Sequence, residues 1–118
     1  MTDPAAAAAR AAAAILAPDL GPSLPAEVEA ALAARDAEQR PHRYFDPISL
    51  ASLIVSIASL AWTIYNDQRK HTPQPPASSV ARQVRITLRE RDLILPSGTE
   101  RITEVVATEI TRKTDSAQ

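Results

Sequence analysis

His42 and His71 are the only imidazoles in the chain, so a general base or metal ligand near neutral pH would be one of them or a carboxylate. They flank opposite ends of an uncharged run, Ile48–Tyr65. A helix through that run holds them farther apart than one active site reaches, and each reads as a polar residue at the end of an apolar segment. A serine nucleophile needs a base and an orienting carboxylate beside it, and the main serine cluster lies inside the same uncharged run. Asp92, Glu100 and Glu104 could meet near the C-terminus, where Arg101 and Arg112 account for them more simply as ion-pair partners. There is no cysteine, which removes thiolate catalysis, zinc-thiolate sites and disulfides. Gly21 and Gly98, the only glycines, are too far apart for a phosphate-cradling loop. The expectation is a protein that is not an enzyme, with no metal and no cofactor.

The hydroxyls carry a different signal. Ser49, Ser52, Ser56, Ser59 and Thr63 recur at spacings of three and four. On a helix they form one stripe about 80° wide. Leu50, Ile54, Ala58 and Ala61 lie opposite. Small hydroxyl residues in such a row let helix backbones approach closely in lipid and hydrogen-bond across the contact. The stripe is therefore expected to be a helix–helix interface, with a second copy or with another membrane protein.

The element that positions this stripe is expected to cross a bilayer. Ile48–Tyr65 has 18 residues and no charge, and reaches about 27 Å as a helix, against roughly 30 Å of hydrocarbon. The four aromatic residues bracket it, Tyr44 and Phe45 before, Trp62 and Tyr65 in its last turn. Such rings favour the headgroup level. With Arg69 and Lys70 they form the expected membrane-interface anchors. The flanking Arg and Lys residues weakly favour a cytoplasmic C-terminal region. The competing reading makes the run a buried helix of a water-soluble assembly, its serines bonded to carbonyls one turn back.

Around this segment the chain offers little core. Leu, Ile, Val and Phe make up only 26 of 118 residues, while alanine supplies 23. Residues 1–46 read as an Ala-rich helical region, partly disordered. Asp3 and Pro4 start a first helix, residues 18–25 break it, and a second helix with Val28, Ala31 and Leu32 on one thin stripe runs over about 25–39. The span itself covers 48–66. Residues 67–80 read as a Pro-rich, extended linker. Residues 81–113 read as a small α+β unit: Val84, Ile86 and Leu88 alternate with polar residues as in a strand, Leu93–Leu95 could pair back, and Ile102, Val105, Val106 and Ile110 recur at helical spacing, though their β-branching leaves a strand open. Residues 114–118 form a tail. The fold class expected is mainly α, a single transmembrane helix with Ala-rich N-terminal helices and a C-terminal βα or ββα unit.

The charge is −3 over residues 1–46 and +2 over residues 66–118, with basic and acidic residues interleaved. That pattern excludes a nucleic-acid partner, whose basic patch would be larger and clustered. The function expected is a non-enzymatic, single-pass membrane anchor or adaptor. Its partners would be the bilayer, another helix on the hydroxyl stripe, and a protein docked on the strand edge Val84, Ile86, Leu88. An oligomeric pore-forming or membrane-disrupting effector, its polar path lined by the stripe, and a soluble helical assembly component are the alternatives. The Ala, Arg and Pro bias fits a GC-rich coding genome, as in many bacteria.

Overall fold

A computed structural model describes residues 3–37, 50–90 and 98–116 of the chain. The N-terminal alanines form a helix, α1, Pro4–Leu20. Asp3 caps it, its side chain accepting from Ala5 N at 3.0 Å, and Pro4 occupies the first turn, where no N–H is needed. Pro18 lies inside the last turn, and Gly21 at φ 131° ends the helix, its N–H donating to Ala17 O at 2.8 Å. The expected break at residue 18 is thus delayed to Leu20, because a proline one turn from the end disrupts little that follows. Ala5, Ala6, Ala8, Ala9, Ala12 and Ala13 are buried with Leu16, and side chains this small let neighbouring helices come close.

Helix α2, Leu24–Ala37, follows a short turn and buries Leu24, Val28 and Leu32, one residue per turn. Helix α3, Leu50–Arg69, contains most of the uncharged run and packs against every other helix of the described residues. Residues 70–76 make a turn in which Pro75 is buried. Gln68 and Ser79 bond in both directions across it. Where an extended tether was expected, the chain folds straight back onto α3.

Helix α4, Ala77–Glu90, replaces the expected strand, and no strand forms among the described residues. The alternation of Val84, Ile86 and Leu88 competes with a second period in the same residues. Val80, Val84 and Leu88 recur every four positions and are buried together with Ala81, while Ile86 is only half-buried at the side. Ala, Gln, Arg and Leu are good helix formers, and α3 and α5 supply an apolar surface for that face. The pairing run Leu93–Leu95 lies outside the described residues. The C-terminal segment takes the helical alternative as α5, Thr99–Ser116, with Ile102, Val106, Ala107 and Ile110 in the core. Its β-branched threonines are absorbed by the helix itself, Thr103 Oγ1 donating to Thr99 O at 2.9 Å.

The described helices enclose one core, and the principal extents of the fold are 37 × 30 × 29 Å. Ion pairs tie α1 to its neighbours at the surface. Arg10 Nε lies 2.6 Å from Glu29 Oε2, and Arg101 Nη1 lies 2.5 Å from Asp19 Oδ2. All four side chains are about half exposed, so these contacts add little beyond orientation.

Candidate functional site

Helix α3 is long and apolar enough to cross a membrane by length and composition, and half of its apolar window is buried inside the fold. The buried positions wrap about 200° of the helix surface. They include Ile54, Ile57, Ala58, Ala61 and Tyr65, each no more than 1% exposed. The remaining arc is the hydroxyl stripe. Ser52, Ser56 and Thr63 are exposed and Ser59 is half-buried. Thr63 Oγ1 donates to Ser59 O at 3.1 Å, satisfying a carbonyl one turn back. The stripe is bordered by half-buried Leu60 on one side and Trp62 on the other. Four of the five stripe residues therefore share one outward edge, as their spacing implies, and Ser49 lies outside the described residues.

The aromatic end of α3 is arranged differently from a pair of interfacial anchors. Tyr65 is in the core, and Trp62 stacks on it with ring centroids 6.1 Å apart and planes 16° from parallel. The Arg69 guanidinium sits 5.7 Å from the centre of the Tyr65 ring. Arg69 and Lys70 are exposed. A shallow cleft beside Trp62 is lined by Thr63, Asn66, Asp67, Lys70 and Gln83. Tyr44 and Phe45 lie outside the described residues. The expected docking residues Val84 and Leu88 face the core of the bundle and Ile86 is half-buried, so the strand edge proposed for a partner is not present.

His71 is exposed on the α3–α4 turn, and His42 and Asp92 lie outside the described residues. No group of three His, Asp or Glu residues that could hold a metal forms among the described residues. Glu100 and Glu104 lie on one edge of α5. Glu100 Oε1 is 3.9 Å from Arg85 Nε, and Arg85 was not among the expected site residues. Arg85 also lines a recess of about 310 Å³ between α4 and α5, with Ala77, Ser78, Ala81, Glu104 and Thr108. Its Nη1 is shut off from solvent and has no hydrogen-bond partner. Leaving a buried polar atom unpaired in this way costs about 1–3 kcal/mol. The signal for this recess was available only with the helical period. Ala77, Ala81 and Arg85 stand at i, i+4 and i+8, and an arginine on a helix leans toward the N-terminus, over the two alanines.

Neither a protein-family model, nor a curated protein, nor a solved structure matches the chain.

Proposed function

We propose that this protein is a non-enzymatic adaptor that folds as a helical bundle in water and binds another helix along the open edge of α3. The observation that supports this reading is the exposure pattern of α3. Its apolar arc is covered by the chain's own helices, and its only outward arc is hydroxyl-bearing. Insertion into a bilayer would strip away those covers and expose the apolar faces of α1, α4 and α5. The edge suits a helical partner. Ser52, Ser56 and Thr63 are small enough for close backbone approach, and half-buried Leu60 and Trp62 supply flanking apolar area. A photo-crosslinking residue at position 56 in the full-length chain, expressed in cells, tests the contact. One dominant adduct, to a second copy or to one other protein, is expected at position 56 and not at the exposed position 33 of α2. Equal or absent labelling at both positions overturns the reading.

A second reading keeps α3 as a single membrane span, and its length and apolarity favour it. The same hydroxyl edge then becomes a seam between helices in lipid, or, in an oligomer, the wall of a pore. Gentle lysis without detergent separates the two. The adaptor in water stays in the supernatant as a defined particle, whereas the span pellets with membranes and needs detergent for release. Ion leakage from vesicles carrying the protein would single out the pore.

A further inference from the structure

The recess between α4 and α5 holds two opposite charges that do not neutralise each other. Arg85 and Glu104 both line it, yet they form no ion pair within 4.0 Å. Arg85 is held at 3.9 Å by Glu100, and its side chain keeps only 31% of its surface exposed. Its Nη1 is shut off from solvent without a partner, so it is the rest of the guanidinium that lines the recess. Glu104 is exposed and has no hydrogen bond or ion pair among the described residues. Ala77, Ala81, Ser78 and Thr108 complete its lining.

We propose that this recess binds a small zwitterion of the α-amino acid class, its carboxylate on the Arg85 guanidinium and its ammonium on the Glu104 carboxylate. A molecule with both charges a few ångströms apart satisfies both walls at once. A simple anion would meet the Glu104 charge, and a simple cation would meet the Arg85 charge. The guanidinium is suited to the carboxylate because its charge is permanent and its accessible N–H groups donate charge-assisted hydrogen bonds. The Ser78 and Thr108 hydroxyls serve as further donors or acceptors to the same ligand. This site lies on α4 and α5, away from the open edge of α3, so it stands or falls independently of the adaptor reading.

The experiment is a calorimetric titration of the full-length protein with the common L-amino acids, and with propionate, propylamine and inorganic phosphate as single-charge probes. At least one amino acid is expected to saturate the protein, with propionate and propylamine each at least ten-fold weaker. Arg85→Gln and Glu104→Gln are each expected to weaken the amino acid ten-fold or more, while Arg82→Gln, on the exposed face of α4, leaves it within two-fold. Far-UV circular dichroism confirms that each variant remains helical, and Arg85→Lys, which keeps the charge but not the guanidinium, gives an intermediate loss if a variant at Gln is unstable. The proposal is overturned if no amino acid binds at 10 mM (about −2.7 kcal/mol of binding free energy or weaker), if propionate or phosphate binds as tightly as the best amino acid, or if neither Gln variant changes the affinity.

Discussion

Ser79 and Gln68 hold each other across the α3–α4 turn in both directions. Ser79 Oγ donates to Gln68 Oε1 at 2.9 Å, and Gln68 Nε2 donates to the Ser79 carbonyl at 3.3 Å. Both residues are partly buried, so the pair fixes the angle at which α4 returns to α3. Replacing Gln68 with Ala removes both bonds and leaves the Ser79 hydroxyl to water. The expected loss is about 1–3 kcal/mol, from about 0.5–1.5 kcal/mol per bond. Ser79→Ala removes one bond and should cost about half as much. The double variant should cost no more than Gln68→Ala alone, because both singles break the same contact. Thermal unfolding of the four proteins measures this, and purely additive losses would show that the pair does not act as a unit.

The buried alanines of α1 make a second expectation. Ala9 and Ala12 are 0% exposed, against elements that pack directly on α1. Ala9→Leu or Ala12→Leu should overpack the core and destabilise the protein by about 1–3 kcal/mol or more. Ala14→Leu, on the exposed side, should stay within about 0.5 kcal/mol. Urea denaturation of the three variants distinguishes a packed helix from a partly disordered one, in which all three would be silent.

The contrast between α3 and α4 shows what the residues disclosed and what they hid. The 4-3-4 spacing of Ser52, Ser56, Ser59 and Thr63 placed them on one edge, because three- and four-residue steps return to the same side of a helix whatever surrounds it. What covers the opposite side is not a local property. A run without charge is equally at home against lipid and against the apolar faces of α1, α2 and α5, and the alanines of α1 offered too little surface to look like a cover. In α4 the difficulty was period. Val84 and Leu88 satisfy alternation and the helical repeat together, and only Val80 and Ala81, with the neighbouring surfaces of α3 and α5, decide between them. Arg85 was hidden by the same ambiguity, since its place over Ala77 and Ala81 exists only in the helix.

That decision is open to measurement through side chains alone. In a strand, Val84, Ile86 and Leu88 share one face and truncating any of them should cost alike. In α4, Val84 is 0% exposed and Ile86 is half-buried at the side. Val84→Ala should therefore cost about 1–3 kcal/mol, from the lost apolar surface and the cavity it leaves. Ile86→Ala, although it removes more atoms, should cost less than Val84→Ala. Chemical denaturation of both variants gives the answer, and a larger loss at Ile86 would contradict the helical face.

The placement of α3 yields the sharpest contrast, because Ser56 and Ile54 lie on opposite arcs of one helix. Ser56 is exposed and Ile54 is 0% exposed. In a bundle bathed by water, a lysine at position 56 reaches solvent directly and should change stability by less than about 0.5 kcal/mol. A lysine at position 54 has no route to solvent and no partner, and should unfold the protein or drive it into aggregates. In a bilayer the two lysines would behave alike, since both positions lie near the middle of the apolar run and a central lysine opposes insertion by about 2.5–3.5 kcal/mol. Ser56→Lys is therefore expected to stay in the detergent-free supernatant with an unchanged melting temperature, and Ile54→Lys to be lost from it. Equal damage from both substitutions would mean that lipid, rather than α1, α2, α4 and α5, surrounds this helix.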